Sequence, residues 1–205
     1  MEQATKLGLI NSLVEKAPTL IKERLQEFQS LAKQSNELWF SELCFCLLTA
    51  NAQAIKALAI QQELGSTGFL TLPQEQLSKI IRSHGHRFHN KKAEYIVQAR
   101  AYADIKDMVI QLNSAQAREF LVHNIKGLGY KEASHFLRNV GYSDVAIIDR
   151  HILKFLLTHG LIKAIPSSIS KQYYLELERL LASFGFPLDL LDLVLWHNIT
   201  GNILK

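Results

Sequence analysis

Lys131 and Asp149 stand 18 residues apart in the segment Asn124–Arg150, NIKGLGYKEASHFLRNVGYSDVAIIDR, and both have side chains that can do chemistry. A lysine in the first turn of a helix opposes the helix dipole, so its presence two residues after Gly129 asks for a reason. An amine beside a helix N-terminus and other cations has its charged form disfavoured, loses its proton more readily and can act as a nucleophile. Asp149 follows an apolar strip and precedes His151-Ile152-Leu153, which by position alone makes it an N-cap. Ahead of the lysine, Gly127 and Gly129 flank one apolar residue in Ile125-Lys126-Gly127-Leu128-Gly129. Such a turn can aim unsatisfied N–H groups at a phosphate oxygen from a helix N-terminus. It can equally be an ordinary corner between two helices, with Ile125 and Leu128 anchoring it in the core.

The elements that must position these residues read as helices with a 3.6-residue period. Thr19–Leu31 carries an apolar stripe, and the strongly apolar Leu38–Leu64 is Ala-rich enough to favour helix over strand. Gln74–Arg82 follows a helix-start signal at Pro73, and Lys91–Leu112 reads as one long amphipathic helix. Ala115–Asn124 and Lys131–Val140 flank the Gly-rich turn, and Ala146–Thr158, Gln172–Phe184 and Leu188–His197 complete the set. No alternating strand pattern, repeat or linker interrupts them. The expected fold is all-α: a single body over 1–205 with two helical lobes around a cleft. One lobe spans 40–150, with the hairpin at about 118–140, and the other combines 1–35 with 151–205.

Composition narrows the class. The chain has 205 residues, 48% of them hydrophobic and 20% charged, enough to bury a sizeable core. Two cysteines, Cys44 and Cys46, can make neither a disulfide framework nor a four-ligand metal site unaided. The N-terminus lacks the basic and apolar regions of a signal peptide, and no apolar run approaches the roughly 18 residues needed to cross a bilayer. These features predict a soluble, intracellular protein. Net charge is only +4, but from Lys79 to Arg100 six cations (Lys79, Arg82, Arg87, Lys91, Lys92 and Arg100) face one carboxylate, Glu94. That stretch reads as a solvated face or as a phosphate-contact surface. His84, His86 and His89 lie within it, too far from a carboxylate or cysteine to read well as a zinc site.

The hairpin Ile125–Gly129, Lys131 and Asp149 together resemble the helix–hairpin–helix DNA glycosylase superfamily, in the branch with a catalytic lysine. The stretches Leu47–Asn51, Arg87–Ala93, Lys131–Gly141 and Ala146–Ile152, with Trp196 nine residues before Lys205, are similar to the archaeal-type 8-oxoguanine DNA glycosylase/AP lyase family (type 2 N-glycosylase/DNA lyase). The absence of any cysteine after Cys46 separates the chain from relatives that carry an iron–sulfur cluster. The resemblance implies excision of 8-oxoguanine and strand cleavage 3′ to the abasic site. Lys131 would be the nucleophile that forms a Schiff base, and Asp149 would stabilise positive charge on the sugar.

It further implies DNA contacts from Asn51, Arg87, Gly127 and Gly129, with Asn51 filling the stack vacated by the extruded base. An N-cap or a buried amide is the alternative for Asn51. Phe88 and Trp196 are the expected stacking walls of the base pocket, unless they are ordinary core aromatics. The main-chain carboxylate of Lys205 would read the lesion, while its ammonium pairs with a pocket carboxylate such as Asp192. No cofactor is implied, although main-chain carbonyls near His123, Ile125 and Leu128 would suit a structural monovalent cation. The expected partner is double-stranded DNA containing 8-oxoguanine, bound by a monomer in the cytoplasm at the nucleoid, with no membrane involved. His135, one turn past Lys131, reaches the same helix face without an assigned role. Two other functions stay open: a non-catalytic DNA-binding module, and a monofunctional glycosylase for alkylated bases that would use Asp149 and water.

Overall fold

The computed structural model describes residues 2–205, with side chains from Leu7 onward. Among them are twelve α-helices and no strand: α1 (Glu2–Glu15), α2 (Thr19–Leu31), α3 (Asn36–Thr49), α4 (Ala54–Thr71), α5 (Gln74–Ser83), α6 (His89–Ala99), α7 (Ile105–Val109), α8 (Ser114–Asn124), α9 (Tyr130–Asn139), α10 (Arg150–Thr158), α11 (Lys171–Ala182) and α12 (Leu188–Thr200). The expected helices are present. In three places the helices depart from the sequence pattern because a distant side chain takes a backbone group.

The Leu38–Leu64 stretch is two helices, not one. A continuing helix would use the Leu47 and Leu48 carbonyls to bind the N–H groups of residues 51 and 52. Instead Leu47 accepts from Lys92 Nζ at 2.6 Å and Leu48 from His86 Nε2 at 2.9 Å. The chain turns there through Asn51 at φ +59°, the left-handed region that asparagine tolerates better than most residues. The expected long helix Lys91–Leu112 also breaks. Arg100 turns its guanidinium back onto the Phe69 and Leu72 carbonyls at 2.9 and 2.6 Å. Asn36, at the start of α3, then accepts from the Lys106 N–H at 2.9 Å and donates to Asp107 at 2.8 Å, starting α7. Finally, α10 begins at Arg150 and not at Ala146, because α11 side chains hold the strip before it. Glu178 accepts from the Ala146 N–H at 2.9 Å, and the Tyr174 hydroxyl accepts from the Ile148 N–H at 3.2 Å.

Burial divides into three clusters. The largest joins residues of α3 through α9, among them Trp39, Phe45, Phe69 and Phe136. A second joins α10, α11 and α12 with Ile10 of α1. In the third, Ile21 and Phe28 of α2 pack on Leu193 and Val194 of α12. The α8–turn–α9 hairpin sits in the first, with Ile125 and Leu128 buried as its anchors. A cleft runs between the first and second clusters.

Candidate active site

Lys131 is the second residue of α9, directly after the hairpin. The turn itself depends on Gly127, at φ +96°: a Cβ there would lie 2.4 Å from the Tyr95 ring. Gly129 is different in kind, an extended N-cap whose added Cβ would meet only Glu132 Oε2, at 3.3 Å. The Lys131 ammonium lies 3.2 Å from Glu132 Oε1, and that carboxylate offsets the unfavourable dipole at the helix start.

Asp149 is the N-cap of α10, its Oδ1 accepting from the Ile152 N–H at 2.9 Å. Its place relative to Lys131 is set by a buried polar network that sequence reasoning missed. Arg118 of α8 grips Glu178 of α11 through two bonds of 2.6 and 2.7 Å and also donates to Ser134 of α9 at 3.1 Å. The Tyr174 hydroxyl, 3.1 Å from Ser134, donates to the Ala146 carbonyl at 2.6 Å. Burial raises the Tyr174 phenol, which therefore stays protonated and keeps that bond. Thus α8, α9, α11 and the strip before Asp149 form one hydrogen-bonded unit. The available signal was the four-residue spacing of Tyr174 and Glu178, which puts two polar groups on one helix face.

Two cavities, of about 710 and 590 Å³, meet in the cleft. Both volumes are of ligand-pocket size. Lys131 and Asp149 line both cavities, so the two groups stand on the divide. Asn51 and Arg87 line the larger one only, with Asn51 exposed in its left-handed turn; it is neither an N-cap nor a buried amide. Trp196 and Lys205 line the smaller one only, as does His135. The Trp196 ring stacks on His151, centroids 5.4 Å apart and planes within 10°.

Two expectations are corrected. Phe88 walls neither cavity: it is the residue before α6, 47% exposed, with the Arg87 guanidinium 5.6 Å from its ring centre. It stands outside because α6 turns Lys92, Ala93 and Ile96 inward and leaves its leading residue at the surface. Nor does Lys205 pair with Asp192, which is held by Arg138. The Lys205 ammonium instead reaches Glu42 and Gln61, each at 2.6 Å, and lies 4.5 Å from the Phe45 ring centre. Glu42 in turn accepts from Asn139 at 2.6 Å, so α3, α4 and α9 jointly hold the Lys205 side chain.

The basic stretch separates into different jobs. Lys92 is buried beneath the Asn51 turn and Arg100 is spent on carbonyls, so neither is a phosphate contact. Lys79 and Lys91 are paired with Glu75 and Glu94. The three histidines diverge: His84 pairs with Glu63 at 2.6 Å, and His89 meets Ser78 at 2.9 Å. His86 must carry its proton on Nε2, because a carbonyl only accepts, and its Nδ1 then accepts the Phe88 N–H at 3.2 Å. Burial lowers the His86 pKa and keeps that ring neutral.

The sequence pattern of the family described as 8-oxoguanine DNA glycosylase matches residues 21–190. Over 191 residues the chain is 54% identical to an 8-oxoguanine DNA glycosylase/AP lyase of Methanocaldococcus jannaschii, spanning 91% of this chain and 92% of that one. The crystal structure of the 8-oxoguanine DNA glycosylase of that organism matches with a TM-score of 0.93 at 50% identity over 100% of both chains. A crystal structure of the M. jannaschii 8-oxoguanine glycosylase/lyase in complex with 15mer DNA containing 8-oxoguanine matches equally, with a TM-score of 0.93 at 51% identity, over 98% of this chain and 100% of that one. The chain belongs to the 8-oxoguanine DNA glycosylase family.

Proposed function

We propose that this chain excises 8-oxoguanine from duplex DNA and cleaves the strand 3′ to the resulting abasic site, with Lys131 as the nucleophile. The observation that carries the reading is the placement of Lys131 and Asp149 on the starts of two different helices, together on the divide between two cavities. A base inside a duplex must be extruded before it can react, at a cost of a few kcal/mol. The amides of the Gly127–Gly129 turn and Arg87 hold the backbone, and Asn51 enters the space the base has left. The base passes into the smaller cavity against Trp196, which leaves its sugar at the divide. The Lys131 amine attacks C1′ as the bond to the base breaks, its electron pair leaving on the base, which takes up a proton. The C1′–O4′ bond then opens, O4′ taking the amine's proton, and leaves a C1′=N Schiff base. Asp149 stabilises the positive charge that develops on the sugar. Loss of a proton from C2′ then breaks the C3′–O3′ bond, and the downstream strand leaves with its 5′ phosphate.

Every group invoked belongs to one chain, so a monomer suffices, and the substrate puts the enzyme inside the cell at its DNA. The carbonyls of the last turn of α8 and the hairpin, near His123, Ile125 and Leu128, sit at the negative end of that helix. The Ile125 carbonyl accepts the Leu128 N–H at 3.2 Å and keeps a second lone pair. That donor set fits a monovalent cation, which when bound would add positive charge beside a DNA phosphate. Borohydride trapping on a duplex with one 8-oxoguanine tests the reading. A covalent adduct is expected with the wild type and none with Lys131→Gln, while Lys131→Gln still binds the duplex. Trapping at wild-type level in that variant would remove Lys131 from the mechanism.

A further inference from the structure

His135 is a polar group of the smaller cavity that the mechanism leaves unused. It lies one turn after Lys131 on α9, is only 8% exposed, and its Nε2 is buried without a well-formed hydrogen bond, although the Lys205 main chain lies beside the ring. A buried polar atom left unsatisfied costs about 1–3 kcal/mol and calls for a partner, and the His135 ring borders a cavity that could admit one. The ring is firmly placed, its edge against Phe45 at 5.6 Å between centroids. Burial, then the Arg138 and Lys131 cations, holds its pKa well below the usual imidazole value, with the Lys205 main chain beside the ring working the other way. The ring is therefore neutral and offers one N–H and one lone pair, not a charge.

Which part of a nucleotide it meets follows from the layout. Lys131 and Asp149 border both cavities, whereas His135, Trp196 and Lys205 border only the smaller one. A sugar placed at the divide puts its base beside His135. We infer that His135 Nε2 hydrogen-bonds the polar edge of the extruded 8-oxoguanine, as a base-binding residue that takes no part in the sugar chemistry. This rests on the function proposed above. A purine edge supplies the missing partner, and a base whose edge cannot do so leaves the nitrogen unpaired in a closed site. Site groups of that kind discriminate strongly.

The test separates the base from the sugar by using two substrates with His135→Phe and His135→Gln. The first substrate is a duplex with 8-oxoguanine, followed under single turnover; the second is the same duplex with a preformed abasic site. His135→Phe keeps a flat ring against Phe45 but loses the hydrogen bond, and should slow 8-oxoguanine excision about 10- to 100-fold. Cleavage and borohydride trapping of abasic DNA should stay at the wild-type level. His135→Gln, which puts an amide nitrogen near the Nε2 position, should recover part of the loss. The melting temperature of His135→Phe should be unchanged or higher, since an apolar ring replaces an unsatisfied polar one. Equal losses on both substrates, or no loss on either, would overturn the inference, as would a melting temperature that falls in step with activity. A wild-type protein that cleaves abasic DNA but leaves 8-oxoguanine alone would overturn it too. A wild type inert on both substrates would instead sink the function on which it rests.

Discussion

Replacing Lys92 with methionine probes the clamp beneath the Asn51 turn and yields a number. The Lys92 side chain is 5% exposed and donates to the Leu47 carbonyl at 2.6 Å. Burial brings its pKa from 10.5 down to about 8; Glu132 opposes that shift and Lys131 adds to it. The folded pKa lies below the unfolded one. Between those two values the unfolded chain still holds a proton that the folded chain has released, so stability from this group rises with pH. At 1.36 kcal/mol per pKa unit, the full effect is about 3 kcal/mol, of which about 2 kcal/mol accrues between pH 7 and 9.5. Cys44 and Cys46 work against it in the same range, because burial raises both thiols and the unfolded chain deprotonates first. Those groups are common to both proteins and cancel in the difference. The assay is urea unfolding of wild type and Lys92→Met at both pH values. The wild-type advantage over the variant should grow by about 2 kcal/mol from pH 7 to pH 9.5. A difference that stays flat would mean that Lys92 keeps its proton throughout, and would refute the argument that burial governs it.

Asp149→Asn should slow excision by about 100-fold or more while the melting temperature barely moves, because asparagine caps a helix as well as aspartate does but carries no charge. A fall in stability matching the fall in rate would reduce Asp149 to a cap. Gly127→Ala should weaken binding to damaged and undamaged duplex alike, since its Cβ meets the Tyr95 ring in a left-handed backbone, whereas Gly129→Ala should lose little; binding isotherms for the pair check the contrast. Glu42→Gln should destabilise by about 3 kcal/mol in denaturant unfolding, because it strips the counter-charge from a largely buried ammonium. It should also lower 8-oxoguanine excision by freeing Lys205 from the cavity wall, and unchanged stability would show that Lys205 is not held there by charge.

What could be read from the sequence was local, and what could not was carried by distant side chains. The helix Thr19–Leu31 begins and ends where its apolar stripe does. The hairpin was legible because one backbone demand, a left-handed residue packed under Tyr95, can be met only by glycine at 127. Asp149 was readable as a cap because capping involves only the next three residues. The breaks after Thr49 and Ala99 were not readable, since both stretches remain helical by propensity. They end because Lys92 and His86 take the carbonyls a continuing helix would use, and because Arg100 turns back on Phe69 and Leu72. Phe88 was misplaced for the same reason. A pattern of aromatics cannot say that His86 has fixed the Phe88 N–H and left its ring at the rim. Lys205 found Glu42, 163 residues away, and not Asp192, 13 residues away, because Arg138 already occupies Asp192. The same rule explains how Lys131 and Asp149 are positioned. Lys131 and Asp149 each sit on a helix start that local sequence specifies. The relation between those starts is fixed by Arg118, Ser134, Tyr174 and Glu178. Disturbing that network should change the alignment of Lys131 and Asp149 while leaving both side chains in place, so under the proposed function its members act as positioning residues that do no chemistry.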